Sequence, residues 1–373
     1  MESKDMSAME ILSAACNNPH LIGEKHNRPI FGYLTMHVPV ELIYAADILP
    51  VRIQGGRTAD LASNHLQSFT CSYARAAIHQ ALRGDYDYLD GVIAAKTCDV
   101  VLGLYHSWST CRPLKFSWLI SLPGNSDREA ITYFHEELAA LKTAIETYRG
   151  IEISDQRLLD AISLYNQIRD LLSQLWAKRD EGILPLSAGD LIKVIKGSQV
   201  LDPRVVLDLL SSLLGDVEKE GGMITQDVRL MILGNTYEDI SLVEMIEKSG
   251  GWIAFDDTTA MGRLFGSPVE LDGEGPLGSL AHHYVSKVTG PYRLTFERRW
   301  EHILNLIQRW RINGCIHVIQ KYCDTALFES PLIVESLRAL GIPSLILEID
   351  DTSLGLNQIR TRVEAFVEMI GGI

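Results

Sequence analysis

Six cysteines stand out in a chain of 373 residues: Cys16, Cys71, Cys98, Cys111, Cys315 and Cys323. Three occupy the position where a parallel α/β sheet puts its chemistry, just after a strand and just before a helix. Cys98 follows the apolar run DGVIAAKT, Cys323 follows CIHVIQKY, and Cys71 sits in SFTCSYARAAI at the start of a helical pattern. A helix N-terminus carries partial positive charge and free N–H groups, which favour thiolate over thiol and can donate to inorganic sulfide. Three such thiolates suit a soft metal. They lie far apart in the chain, so a local zinc knuckle is excluded and any shared site has to be assembled from both halves. Spacing alone leaves it open that all six thiols only pack. That reading holds for Cys315, at the head of an apolar strand, for Cys111, after Trp108-Ser109-Thr110, and for Cys16, in the first helix.

Positioning these residues requires strands and helices in alternation. A short helix opens the chain, then Pro29–Met36 and Leu49–Ile53 are predicted strands with a helix, Pro39–Ala46, between them. Ser72–Leu82 is a predicted helix, and Asp90–Ala95 reads as a buried parallel strand. From Ser126 to about Gly221 only helical periodicity remains, in His135–Tyr148, Asp155–Arg179 and Asp202–Lys219, with Ser126 or Asp127, Ser154 and Asp202 as N-caps. The α/β pattern resumes with a strand at Val228–Leu233, a helix ending near Ser249 and a strand at Trp252–Phe255. A long helix, Leu294–Arg311, leads to the strand Cys315–Ile319 and a helix near Pro331–Leu340. The strand Ser344–Glu348 and the helix Leu356–Ile370 complete it. The expected architecture is α/β: two Rossmann-like parallel-sheet domains, 1–125 with an N-terminal helix and 223–373, joined by an all-helical connector at 126–222. Asp90-Gly91 leads to Cys98-Asp99 as Asn313-Gly314 leads to Cys323-Asp324, a weak internal duplication.

Composition narrows the function. With 46% hydrophobic and 22% charged residues the chain is globular, and a formal charge of -14 with pI near 5.2 argues against nucleic acid or an anionic membrane as main partner. It leaves room for a local basic pocket that takes a phosphorylated ligand. No apolar run reaches the roughly 18 residues of a membrane span. Met1–Glu10 is mixed and charged, unlike a signal peptide, and no apolar stretch precedes LSAAC at Leu12–Cys16 as a lipoprotein signal requires. A cytoplasmic enzyme with reduced cysteines is expected. Val228–Asn235 resembles a Rossmann first strand without the glycine fingerprint of nicotinamide binding, and no Walker A sequence is present.

Longer stretches carry a resemblance. KYCDTALFESPLIVESLRALGIPSLILEID resembles the C-terminal signature of the 2-hydroxyacyl-CoA dehydratase and benzoyl-CoA reductase family, with Thr325 where that family usually has proline. VPVELIYAADILPVRIQGG resembles a second family segment, with Asp47 in place of a glycine. SFTCS, GDYDYLDGVIAAKTCDVV and NQIRTRVEAFVEMI follow in the family's order. The resemblance covers nearly the whole chain, most weakly in the helical connector, and is to the smaller, beta-type iron-sulfur subunit. It implies a 4Fe-4S cluster, or a bridged double cubane, on Cys71, Cys98 and Cys323. One iron is then left with a non-cysteine ligand. It also implies a heterodimer with a homologous second subunit, a separate ATP-hydrolysing iron-sulfur activator, and an acyl-CoA thioester reduced to a ketyl radical in anaerobic metabolism. Dehydration of a 2-hydroxyacyl-CoA is the first expectation; ring reduction of the benzoyl-CoA type and a non-catalytic electron carrier are the alternatives. Supporting candidates are His37 as a donor to substrate or cluster, Asp99 and Asp324 as N-cap acceptors, and Lys96 and Lys321 as counter-charges. Gly55-Gly56-Arg57 is a turn that a ligand could approach.

Overall fold

The computed structural model describes residues 6–18, 27–217, 227–271, 273–287, 295–350 and 355–372. Two four-stranded sheets, every pairing parallel, organise them. The first comprises β1 (Ile30–Leu34), β2 (Leu49–Arg52), β3 (Gly91–Ala95) and β4 (Phe116–Ile120), in the order β2-β1-β3-β4. The second comprises β5 (Arg229–Gly234), β6 (Trp252–Asp257), β7 (Gly314–Gln320) and β8 (Ser344–Ile349), in the order β6-β5-β7-β8. Strands β1, β3 and β7 are buried along their whole length, as short continuous apolar runs require when helices cover both faces.

Helices α1 (Ala8–Asn17), α2 (Val40–Ala45), α3 (Ser72–Arg83) and α4 (Asp99–Cys111) accompany the first sheet in sequence. α4 and β4 lie in a stretch where the sequence predicts no element. Val101, Leu104 and Trp108 bury one stripe of α4, but Val100, Leu102 and Tyr105 blur that stripe in the sequence. β4 is an edge strand with only its two ends buried, so its apolar signal is weak.

Between the sheets run α5 (Arg128–Arg149), α6 (Asp155–Asp180), α7 (Ala188–Ser198) and α8 (Pro203–Val217), and no strand occurs among the described residues there. Asp127 and Ser154 cap α5 and α6, each accepting from the N–H three residues on. α7 is an addition to the predicted elements, although Ser187 and Asp190 form a capping box that marks its start. Asp202 accepts from the Arg204 N–H at 2.9 Å, ahead of Pro203 in the first turn of α8. Lys219, Gly221 and the expected boundary at 222 lie outside the described residues.

The second sheet is followed through α9 (Ser241–Lys248), α10 (Gly262–Phe265), α11 (Gly275–Ser286), α12 (Phe296–Arg309), α13 (Asp324–Ala339) and α14 (Leu356–Gly371). Helix α11 is also absent from the predicted elements; it packs on α5 and α6 and places Leu280, Ala281, Tyr284 and Val285 in the core under the first sheet. Helix α13 begins at Asp324, well before the expected start near Pro331, and holds that proline in its interior. The expected start treats the proline as a first-turn residue, its favoured place in a helix. The earlier start puts Cys323 at a helix N-terminus. Among the described residues no helix is long and apolar enough to cross a membrane.

Candidate functional site

The site grows from strand ends. β3 and β7 are the third strands of their sheets, counted along the chain, and each runs into a helix whose N-cap is a cysteine: Cys98 for α4, Cys323 for α13. Cys71 is the N-cap of α3. All three line one cavity of ≈ 130 Å³ between the two sheets, together with Tyr33, Thr35, Met36, Arg52, Gln199 and Asn235. Ser72, in the first turn of α3, donates to Gln320 at the end of β7, which ties the halves together beside the cavity. Asp99 and Asp324 are expected as N-cap acceptors. They instead occupy the first turn of their helices, because the cysteines take the cap position, and both are exposed.

Burial has the largest effect on the Cys71 and Cys98 thiols, ahead of the first-turn N–H groups and of the neighbouring sulfurs. Burial pushes the Cys71 thiol up to about 12, and Cys98 and Cys323 push it the same way against the N–H of Ala74. Cys98 is raised by burial and by Cys323, opposed by the N–H groups of Val101 and Val100. Thiolates crowded and desolvated in this way are stabilised by a cation bound among them, whose binding releases their protons. At Cys323, Asn235 Nδ2 donates to Sγ at 2.8 Å, and Thr325 Oγ1, where the family pattern has proline, lies 3.6 Å from the same sulfur. Two non-glycine residues with left-handed backbone flank the site: Thr35 on the cavity wall (φ 76°) and Tyr322 before Cys323 (φ 67°). Such conformations cost energy and concentrate at functional sites.

The other candidates stand apart. Cys16 and Cys315 are buried, and burial pushes the Cys315 thiol far up. Cys111 Sγ lies 3.0 Å from His65 Nδ1 in a pair at the surface. His37 is fully buried and is not among the cavity-lining residues, although its neighbours Thr35 and Met36 are. Lys96 and Lys321 are exposed, and Lys321 Nζ sits 5.4 Å from the centroid of the Tyr322 ring. Asp47 has φ 58°, a left-handed conformation that aspartate tolerates; its carboxylate lies 3.1 Å from Arg149. Arg52, Gln199 and Asn235 join the site without having been singled out by the sequence. For Arg52 and Asn235 a signal existed, since each stands at the carboxyl end of a strand.

Among the described residues, no group of three or more His, Cys, Asp or Glu converges as the ligands of one metal ion do. The cysteines surround a volume instead of a point. Residues 35–370 match the family described as 2-hydroxyglutaryl-CoA dehydratase, D-component. The chain is 26% identical to one of the subunits of benzoyl-CoA reductase from Thauera aromatica, over 92% of this chain and 91% of that one. It is 25% identical to the beta subunit of lactoyl-CoA dehydratase from Anaerotignum propionicum, over 91% of each. With the beta subunit of (R)-2-hydroxyglutaryl-CoA dehydratase from Acidaminococcus fermentans the identity is also 25%, over 91% of this chain and 92% of the relative.

Proposed function

Taking as premise that the chain belongs to the 2-hydroxyglutaryl-CoA dehydratase D-component family, we propose that it is the iron-sulfur subunit of a 2-hydroxyacyl-CoA dehydratase, holding a 4Fe-4S cluster on Cys71, Cys98 and Cys323. The observation that carries this reading is the meeting of three helix-capping cysteines around one cavity. The cavity, at ≈ 130 Å³, is larger than a single metal ion needs. When bound, the cluster supplies a strongly reducing electron for the thioester carbonyl, which lets an α-hydroxyl leave. Acid-base assistance alone, about 10²–10⁴-fold, does not serve a reaction in which the β-hydrogen is weakly acidic and the hydroxyl a poor leaving group.

The chain's own residues hold and insulate. Three thiolates bind, and three helix N-termini face the charge they bring. The Asn235 amide takes up part of the charge on Cys323 Sγ. Met36, Val101 and Leu264 give the cavity apolar walls. Three cysteines leave one position for a non-cysteine ligand. The subunit works in the cytoplasm beside a homologous second subunit, with its electron delivered by a separate ATP-hydrolysing activator. The similarity to a benzoyl-CoA reductase subunit favours ring reduction of an aryl-CoA as the second reading.

Anaerobic purification should return about four irons per chain. Cys71→Ala, Cys98→Ala and Cys323→Ala should each lose that iron, whereas Cys111→Ala keeps it. Full iron in both Cys98→Ala and Cys323→Ala would rule the cluster assignment out. Turnover of a panel of 2-hydroxyacyl-CoA and aryl-CoA thioesters, with partner, activator, ATP and reductant, separates dehydration from ring reduction. No turnover by a fully loaded complex identifies a carrier.

A further inference from the structure

Arg52 ends β2 and lines the cysteine cavity while nearly all of its surface is buried. Its Nη2 donates to Glu238 Oε1 at 2.6 Å, and Glu238 Oε2 lies 2.7 Å from the buried Lys196 Nζ. The second half of the molecule thus supplies one carboxylate for two cations. Gly55 makes this possible, because a Cβ there would stand 2.9 Å from Glu238 Cγ and 3.0 Å from Tyr73 Cδ2. At the turn Gly55-Gly56-Arg57, Gly55 makes way for Glu238. Burial pulls the Arg52 guanidinium toward neutrality, but Glu238 holds it charged; burial pulls Glu238 up, but Arg52 and Lys196 bring it down to about 2. Nearby, Arg57 and Asp239 pair with each other at 3.2 Å, so they add no net charge. One positive charge is left over beside the cavity.

Arg52 also has a donor to spare. Its Nη1 is buried and has no hydrogen-bond acceptor among the described residues. A buried surplus charge with an unused donor is unfavourable unless a bound anion completes it. We infer that Arg52 is a cofactor-contacting residue of the cysteine cavity: its free Nη1–H donates to the anionic group held by Cys71, Cys98 and Cys323, and the surplus charge of the Arg52–Glu238–Lys196 set makes that group easier to reduce. The inference rests on the cluster reading. Hydrogen bonds to the sulfurs and nearby positive charge are among the levers by which a protein sets a cluster's potential.

The test is a redox titration of the anaerobically loaded chain, followed by electron paramagnetic resonance without acyl-CoA present, so that substrate binding plays no part. Arg52→Gln should keep its iron and become at least tenfold harder to reduce, a shift of about 59 mV to more negative potential for one electron. Arg52→Lys, which keeps the charge and loses the fork, should recover part of the shift. Glu238→Gln enlarges the surplus and should move the potential the opposite way, a sign relation that a purely structural role does not produce. If Arg52→Gln does not fold, Lys196→Met and Glu238→Gln must still shift in opposite directions. Coincident potentials in iron-loaded variants overturn the inference and leave the cluster reading standing. A wild-type chain without iron overturns the cluster reading itself.

Discussion

The two sheets follow one plan up to the ends of their strands and part company there. In each, the residue before the third strand accepts from the first N–H of the first strand: Asp90 Oδ2 from Ile30 at 3.1 Å, Asn313 Oδ1 from Arg229 at 2.7 Å. In each, a glycine follows at a close approach, Gly91 against Phe31 and Gly314 against Ile370 and Leu230. Both first strands end at a positive φ, Thr35 and Gly234. Both third strands deliver a cysteine to a helix N-terminus. The connection from the second strand to the third is where they differ. In the first half it carries Cys71 on α3; in the second half it carries no cysteine. The strand ends differ in charge as well. Arg52 ends β2 as a cation at the cysteine cavity, whereas Asp257 ends β6 as an anion enclosed by Arg299 Nη1 at 2.6 Å, His302 Nε2 at 2.9 Å and Arg263 Nε at 3.4 Å. The asymmetry gives the first half two of the three cysteines that line the cavity and the second half one.

The contrast between the strand ends is tested most severely by Asp257→Asn. It removes the carboxylate shared by two buried guanidinium groups, leaving Arg263 its bonds to the Asp257 and Gly234 carbonyls and Arg299, among the described residues, only Glu329 at 3.8 Å, and should destabilise the protein by about 3 kcal/mol in urea unfolding at neutral pH. Although burial pulls the Asp257 carboxyl up, Arg299, Arg263 and His302 hold it far below the usual carboxylate range. A carboxyl lowered by folding contributes stability above the unfolded value of 3.8 and loses it as the pH falls below that. The variant should therefore lack that acid-side loss, and a small effect on stability would mean that the second strand end is no more a closed ion set than the first.

A smaller effect is expected at Lys287. It follows α11 and lines a cavity of ≈ 50 Å³ that shares Tyr33, Met36, Gln199 and Leu264 with the cysteine cavity. Burial, helped by Arg169, pushes its amine down to about 7. Between that value and the ordinary 10.5 the unfolded chain holds a proton that the folded chain has released, so stability rises with pH across this window. Lys287→Met should remove the slope and add about 1–3 kcal/mol at neutral pH, read from unfolding curves at several pH values.

The smallest effects bear on whether the shared plan is energetically shared. Asp90→Ala and Asn313→Ala each delete one bond to a first strand and should each cost about 1 kcal/mol. The exposed pair of Asp90 with Lys115 at 2.8 Å adds little to the first of them, and the exposed bond from Asn313 Nδ2 to the Asp227 carbonyl at 2.6 Å little to the second. The two losses should add, because the residues share no partner. Clearly unequal or non-additive losses would show that the likeness is one of topology alone.

Much of this molecule is legible in its sequence because the signals are local. Continuous apolar runs mark β1, β3, β5 and β7, and Asp127 and Ser154 announce helices α5 and α6, since capping reaches only three residues ahead. Strand-to-helix positions single out Cys98 and Cys323, and the start of a helical pattern singles out Cys71. The edge strand β4, and α11 with its face turned to the first half, are not legible, because their burial is conferred by distant parts of the chain. Tertiary structure alone decided that the three cysteines line one cavity, that Asn235 reaches Cys323 Sγ, and that Glu238 crosses over Gly55 to Arg52. Periodicity and capping act over a turn or two of backbone. A site between two sheets depends on contacts between residues far apart in the chain, and only the packed sheets bring those together.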